Sequence, residues 1–584
     1  MGSHKNEEKK GEYSMFQCEK VFLEQLEPTT SLEYQWDLVF DDERRVRWKG
    51  FYTGPLTLTT EEIAALCLKL LGIDITELQK VASQELQPTP LGKNWPALIM
   101  HSQTPDVKSF EQDLLDLMNG PTPLDHTTYA EARSAYFARQ QDLAIGRTNP
   151  WKTAVELEKI NAIEIPGIDY YYLSHALLLL AEEHLISPSL EINQILEFLR
   201  SNEYTIVRVY NLEKEMQIFL IWLKRLANLE NLSIDTNTPD VAQSWNRKSI
   251  LYPTVRDALA LETILLNHSP RHILEVESRS SLLYKKLNLT IPVLPGYTIE
   301  RSGEDIDSFV QQTIQATRLL KTRYGLERAC LKASEAADGA RIFAGLDLRD
   351  ELKIEDLAKD AYQHGDDYLL EAHIEYLQVN VGGQMLKTTP SAHIRWGEVA
   401  EGLTLQMTQG TSWKGNIYIN EAVGDLFGVS KAHYQIIAET MNDFLCAFQS
   451  KNLGLMIAGF DFAIGRIGGV FEDEVLVAAQ DPNVSFNGAE CLRIFREKVK
   501  DHHSFWTDDH FYAVTRVIRP TLQGTLPVIR QITNVVTDTE TYATTIASIP
   551  GCWGMIAVAN RDPEEVLKKL SSLYDSLIRQ NLIT

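Results

Sequence analysis

The sequence predicts a multidomain protein of mixed α/β and α+β class. Its 584 residues exceed one hydrophobic core, and roughly 150 residues per domain suggests about three or four units. Between residues 95 and 365, β-branched runs alternate with helical periodicity, the pattern of a sheet with helical crossovers. Beyond residue 366, strand patterns separated by glycine turns take over, as in α+β units.

The elements follow in chain order. Residues 36–40 (WDLVF) and 46–52 read as strands on either side of the charged turn 41–45. Residues 59–71 read as a helix, with Thr59 or Thr60 as N-cap and Glu61 and Glu62 in the first turn. Residues 1–90 form an N-terminal extension, and 91–250 an α/β domain. In that domain 95–100 (WPALIM), 204–209 (YTIVRV) and 232–235 are strands, and 172–183 and 214–227 are helices. In a unit over 251–365, residues 291–297 (IPVLPGY) are extended, 305–320 an amphipathic helix, 326–332 a strand and 354–361 a helix. In the last unit, 366–584, residues 367–381 read as one long strand, with 392–396 a second beyond the turn Gly382-Gly383. Residues 432–449 form a helix, 457–464 and 475–479 strands paired through the Gly468-Gly469 region, and 563–583 a closing amphipathic helix.

The net charge is −24. Non-specific nucleic-acid binding and docking on an anionic membrane both need a basic surface, so neither is expected. A local basic pocket remains compatible with this charge. The six cysteines are scattered, without a C-x-x-C pair, and are expected as buried free thiols. Residues 1–15 are polar, lack the apolar core of a signal peptide and are expected to be disordered. The longest apolar run, residues 176–181 (ALLLLA), is too short to span a bilayer. A cytoplasmic protein is the resulting expectation.

The most informative stretch is 328–340, RACLKASEAADGA. It reads as an apolar strand carrying Lys332, then a loop of small residues ending in Gly339. Backbone N–H groups of such a loop can approach a phosphate, and the lysine adds positive charge. A lysine buried among apolar strand residues needs an anionic partner, either a ligand phosphate or an acid of the chain. No G-x-G-x-x-G follows the strands of the first domain, and no G-x-x-x-x-G-K-S/T loop or G-x-S-x-G elbow is present. Around this stretch, features stand in a definite order. Lys285-Lys286 precede the segment 291–297, and Lys332 and its loop follow. Then come LLEAHIE (369–375), GFDFAIG (459–465) and AAQDPNVS (478–485).

This order and spacing resemble the ATP-grasp superfamily over roughly residues 200–580. The segment 234–251 (IDTNTPDVAQSWNRKSIL) is similar to the pre-ATP-grasp domain that precedes the catalytic lobes. The length and lobe order are similar to those of pheganomycin-type peptide ligases, and residues 1–90 lie outside the resemblance. The resemblance implies a pre-ATP-grasp α/β domain and then two lobes, 251–365 and 366–584, gripping ATP with Mg2+. It implies an ADP-forming ligase in which a small-molecule carboxylate becomes an acyl phosphate. An amine, from an amino acid or peptide-like molecule, then displaces phosphate. A homodimer is compatible with this reading.

On that resemblance, Lys332 meets the α- and β-phosphates, and the loop from Ser334 to Gly339 closes over them. Lys285 or Lys286 is the earlier phosphate-contacting lysine, with Lys286 at the more usual interval. Glu371 presents a carboxylate near the adenine amino group, and the backbone around Ala372 and His373 reads the adenine edge. Gln378 stands where many members hold the ribose with a glutamate. Asp461, Asp481 and Asn483 are the candidate Mg2+ ligands, because magnesium takes hard oxygen donors beside the transferring phosphate. Ala479 falls where the family carries a metal-binding glutamate. Arg395 and Arg341 are candidate catalytic clamps for a substrate carboxylate or acyl phosphate. Two rivals stand beside the ligase: a phosphotransferase on the same fold, and a nucleotide-binding pseudoenzyme acting as a regulatory or scaffold module. Ala479 is the residue that favours the pseudoenzyme.

Overall fold

A computed structural model describes residues 39–40, 45–48, 51–55, 58–88, 95–102, 125–165, 172–265, 269–301, 305–335, 341–410, 412–471, 474–502 and 511–584. The polar start 1–15, residues 36–38 of the first expected strand, and Gly339 with most of its loop lie outside the described residues. The strand expected over 46–52 is two paired antiparallel strands, Arg45–Trp48 and Phe51–Pro55.

Six parallel strands form the first sheet. Their order is Leu86–Pro88, Leu232–Ile234, Ile206–Val209, Ala97–Met100, Leu143–Gly146 and Asn161–Glu164. The inner strands Ala97–Met100 and Leu143–Gly146 are buried at every position, so their sequences read as apolar runs without alternation. Helices Thr60–Leu71, Leu78–Glu85, Leu173–Ile186, Leu190–Ser201 and Lys214–Ala227 share one core with this sheet. Thr59 and Glu62 form a full capping box at the first of them. Residues 60–88 were expected in the separate extension 1–90. They pack into this unit instead, because Leu86–Pro88 supplies its edge strand.

The second sheet has four antiparallel strands, in the order Gly296–Ile299, Tyr368–Ala372, Arg328–Ala333 and Ile342–Asp347. Helices Ile306–Tyr324 and Glu351–His364 bury Phe309, Leu320, Ile354 and Ala358 in its core. Asp305 and Asp350 cap their N-termini, and Gly325 and Gly365 end them in the left-handed conformation.

The third sheet has ten strands. Its main path runs Glu375–Tyr376, Ile457–Arg466, Pro390–Arg395, Leu403–Gln409, Ser412–Ile419, Tyr512–Ile518, Gly554–Asn560 and Thr541–Ser548, and Leu476–Asn483 pairs beside Ile457–Arg466. Strand alternation divides its two faces. Ile556 and Val558 join a core with helices Lys431–Ser450 and Pro563–Arg579, whereas Met555, Ala557 and Ala559 join one with Ala489–His502.

The single strand expected over 367–381 is three. Tyr368–Ala372 belongs to the four-stranded sheet, Glu375–Tyr376 to the ten-stranded sheet, and Gln378–Val381 to a hairpin with Gln384–Lys387. The chain therefore changes lobes at His373 and Ile374, not at residue 366, because Tyr368–Ala372 has both its neighbours in the smaller sheet.

Buried polar groups fix the first unit to the large sheet. The Asn237 amide donates to the carbonyls of Ile457 at 2.7 Å and Val484 at 2.9 Å. Its oxygen accepts from the N–H groups of Met456 at 2.7 Å and Ile457 at 3.2 Å. All four positions that an amide side chain offers are used. Among the described residues no helix is long and apolar enough to cross a membrane. Cys67, Cys330 and Cys491 are buried free thiols as expected, whereas Cys446 is exposed.

Candidate functional site

A cleft of about 1490 Å³ is lined by residues of both the four-stranded and ten-stranded sheets. Lys332 enters it from Arg328–Ala333, where alternation turns Cys330 and Lys332 to the cleft and Leu331 to the lobe core. Lys332 is only 5% exposed. Its Nζ lies 2.7 Å from Glu371 Oε1 and donates to the Gln480 carbonyl at 2.8 Å. Burial by itself lowers an ammonium pKa. The Glu371 carboxylate, aided by Cys330 and Asp481, outweighs it and holds Lys332 above its ordinary range.

Glu371 reaches the lysine because its strand pairs antiparallel with Arg328–Ala333. Cys330 stands opposite Glu371 and Lys332 opposite Leu369, which makes Lys332 and Glu371 diagonal neighbours. The other Glu371 oxygen accepts from the Tyr252 hydroxyl. Gly296 gives that tyrosine its room: a Cβ there would meet the Tyr252 ring at 2.7 Å. Glu371 thus lines the cleft with both oxygens engaged. His373 and Gln378 line the same end, and burial lowers the His373 pKa.

Beside Lys332, Asp461 and Asp481 are direct partners where Ile457–Arg466 pairs with Leu476–Asn483. Ser391 Oγ donates to Asp461 Oδ1 at 2.5 Å, and the Asn483 amide donates to Oδ2 at 3.4 Å. Burial, and then the Asp481 charge, push the Asp461 carboxyl up to about 6. Lys248 Nζ lies 3.2 Å from Asp481 Oδ1. That oxygen is buried and accepts no hydrogen bond, so the pair is held by charge alone. The pairing shifts next to Asp461, with Phe462 opposite Ala479, which leaves Gln480 as the extra residue of a bulge. The bulge brings Asp481 opposite Asp461.

Two neighbouring carboxylates, one disfavoured as an anion by the other, and an adjacent amide make a hard-oxygen set that fits Mg2+. Among the described residues no group of three or more His, Cys, Asp or Glu could hold a metal. Ala479 is fully buried, and its N–H donates to the Pro292 carbonyl at 2.8 Å. It contributes no ligand. Gln480 faces the cleft instead, giving its carbonyl to Lys332 and its side-chain oxygen to the Tyr376 hydroxyl at 2.9 Å.

Lys332, Glu371, His373, Gln378, Asp461, Asp481 and Asn483 therefore share one cleft. Five other candidates do not line it. Lys286 sits in the helix Leu282–Leu287 with its Nζ 5.6 Å from the Trp245 ring centre, and Lys285 pairs with Asp257 at 2.6 Å. Arg395 is buried in a junction network, pairing with Asp235 and, at 3.1 Å, with Glu490. There it joins the first unit to the large sheet. The Arg341 guanidinium is taken by Asp366. Ser334 holds backbone: its carbonyl accepts from the Lys248 N–H at 3.1 Å, and its Oγ from the Ser249 N–H at 3.0 Å.

That contact aims Lys248, which sequence reasoning missed. The signal lay within the segment 234–251, as a basic pair Arg247-Lys248 ahead of the apolar Ile250-Leu251. Tyr252, Ser391 and Gln480 had no signal, since each gains its role from a strand distant in sequence.

No family model and no curated protein matches this sequence. Among solved structures, the chain is similar to an N5-carboxyaminoimidazole ribonucleotide synthetase in complex with ADP. The identity is 11% and the TM-score 0.41, covering 84% of this chain and 98% of that one. It is similar to the biotin carboxylase domain of a 2-oxoglutarate carboxylase from Hydrogenobacter thermophilus, with MgADP and bicarbonate. There the identity is 10% and the TM-score 0.40, covering 84% and 90%. An Archaeoglobus fulgidus protein described as a putative ATP-grasp superfamily member is 9% identical with a TM-score of 0.28, covering 73% and 94%. These are distant likenesses of arrangement, and what the cleft can hold follows from its own residues.

Proposed function

We propose that this chain is a nucleotide-dependent enzyme of ATP-grasp type. More particularly, it is an ADP-forming ligase that activates a small-molecule carboxylate as an acyl phosphate and joins it to an amine. The observation that supports this best is a single cleft in which a buried lysine and a carboxylate pair stand side by side. The buried, protonated Lys332 is bonded to the Gln480 carbonyl, next in the chain to Asp481, and the Asp461–Asp481 pair with Lys248 adjoins it.

ATP laid along this cleft has its base near His373 and Gln378 and its phosphates at Lys332 and Lys248. Glu371 and the Gln480 carbonyl fix the Lys332 ammonium, so little reorganisation is needed when phosphate arrives. Mg2+ held by Asp461, Asp481 and Asn483 would neutralise charge on the transferring phosphoryl group. A substrate carboxylate oxygen attacks the γ-phosphorus and ADP leaves. The amine then attacks the acyl carbon and inorganic phosphate leaves. A cytoplasmic setting fits the acidic chain and its free thiols.

The test is ADP and phosphate release across panels of amino acids and short peptides. ADP formation that needs both substrates, and is lost in Lys332→Ala, supports the ligase. Unchanged turnover in that variant refutes the phosphate assignment. The buried Ala479 favours a second reading, a nucleotide-binding module without turnover. Stabilisation by ATP and Mg2+ with no ADP from any substrate pair would support it, and ADP formed with a lone acceptor would point to a phosphotransferase.

A further inference from the structure

A side chamber of about 520 Å³ adjoins the large cleft. Its lining includes Lys387, Lys414, Arg516 and Arg519, and no Asp or Glu. In a chain of net charge −24 this runs against composition. Several half-buried or buried cations elsewhere have carboxylate partners: Arg323 has Glu277, Arg493 has Glu490, and Lys498 and Arg530 share Glu158. In the chamber Lys387, Lys414 and Arg516 are half-buried and Arg519 is exposed. Among the described residues, none of the four chamber cations lies within ion-pair distance of a carboxylate.

Two of the cations are oriented by rings. Arg516 lies 3.6 Å from the Tyr574 ring centre, and Lys387 lies 5.8 Å from that of Tyr376. Such contacts fix direction and leave the charge uncompensated. The Arg519 backbone is also tied, its carbonyl accepting from the Thr584 N–H at 2.9 Å. The four cations outnumber the single carboxylate that Thr584 can offer in the lining, and an anion between them relieves the remaining repulsion. Lys387, Lys414 and Arg519 line the large cleft as well, so the two spaces are continuous, whereas Arg516 and Tyr574 belong to the chamber alone.

We propose that this chamber binds an oligoanionic group, either phosphoryl or clustered carboxylate. That the group is a tail of the substrate, remote from its reacting end, rests on the ligase reading above. Arginine forks suit both kinds of oxyanion, so the shared chemistry is that of a planar or tetrahedral oxyanion.

The experiment is calorimetric titration of the full chain at constant ionic strength, with inorganic phosphate and tricarballylate as probes. It is run with and without a saturating non-hydrolysable ATP analogue and Mg2+. The expected result is saturable binding of one probe to nucleotide-loaded protein, weakened about tenfold or more in Arg516→Gln/Arg519→Gln and unchanged in Lys286→Gln, whose side chain lies outside both spaces. The probe that binds identifies the oxyanion. If the double variant melts early, Lys414→Gln takes its place. No saturable binding of either probe overturns the proposal. Equal binding by wild type and the chamber variants overturns it too, as does probe binding that the nucleotide analogue displaces, which marks the triphosphate site. Failure of the nucleotide analogue to bind overturns the ligase reading. Probe binding abolished by the chamber variants would uphold the chamber even then.

Discussion

Asp461 and Asp481 stand directly opposite each other on paired antiparallel strands, with the Lys248 ammonium serving Asp481 and only hydroxyl and amide donors serving Asp461. Two like charges this close in a buried place oppose each other's ionisation.

The first prediction concerns stability. Asp461 titrates near 6 in the folded chain against an ordinary 3.8. Its folded pKa is raised, so its favourable share is complete below 3.8 and is lost as pH rises through about 6. The shift corresponds to about 3 kcal/mol. Asp461→Asn does not titrate there. In metal-free protein it should match wild type near pH 3.8 and exceed it by about 2–3 kcal/mol above pH 6.5. Urea melts across that range measure the gap, and a constant gap would refute the coupling.

Magnesium binding should show the converse. A cation needs the ionised carboxylate, so Mg2+ affinity should fall roughly tenfold per pH unit below about 6. Asp461→Asn and Asp481→Asn should each weaken it strongly. Calorimetry with Mg2+ alone gives the answer, and a flat pH profile would exclude Asp461 as a ligand.

Lys332 and Glu371 form a buried pair, so removing one leaves the other uncompensated. Lys332→Met should destabilise by about 3–5 kcal/mol. The double variant Lys332→Met/Glu371→Leu should recover much of that loss and still bind no nucleotide. Thermal melts and analogue binding on the same samples separate folding from function. Restored nucleotide affinity in the double variant would count against the phosphate role.

Lys248 and Lys286 test the corrected assignment. Lys248→Met should weaken binding of Mg2+–nucleotide about tenfold, as expected for losing one charge-assisted contact. Lys286→Met, acting on a side chain beside Trp245, should leave it within about twofold. The opposite ranking would restore Lys286 to the site.

Arg395 should behave as a packing residue. Burial raises the Glu490 carboxyl, but Arg493 and then Arg395 outweigh it and hold it at about 2, against an ordinary 4.5. That depressed pKa gives stability present above 4.5 and lost as pH falls toward about 2, on the order of 3 kcal/mol. Arg395→Gln removes one of two arginines from each of Asp235 and Glu490, leaving Arg208 and Arg493, and should cost about 1.5–3 kcal/mol at neutral pH. Nucleotide affinity of the folded fraction should change by less than about threefold.

Much of this was legible in the sequence where one residue pattern decides one structure. The apolar parallel strands, the Thr59 cap and the strand holding Lys332 follow from local periodicity. The pairing of 457–464 with 475–479 was also readable, because the Gly468-Gly469 turn joins them. The three-way split of 367–381 was not, since every piece is strand-forming and only the sheets it meets distinguish them. Arg395 and Ser334 misled for a related reason. A sequence shows that a polar side chain exists, but not which of several possible partners reaches it first. Lys248 was hidden because its role depends on Ser334, 86 positions further along the chain.

The Asn237 amide has a consequence for how this protein can be divided. It satisfies backbone groups at the start of Ile457–Arg466, the strand that carries Asp461. The alignment of the carboxylate pair is thus set partly from a different unit of the chain. A C-terminal half expressed or inherited alone would keep every candidate ligand and lose the reference against which they are aligned. Recombination that swaps the first unit should therefore disturb the alignment of the carboxylate pair together with the packing of the two units.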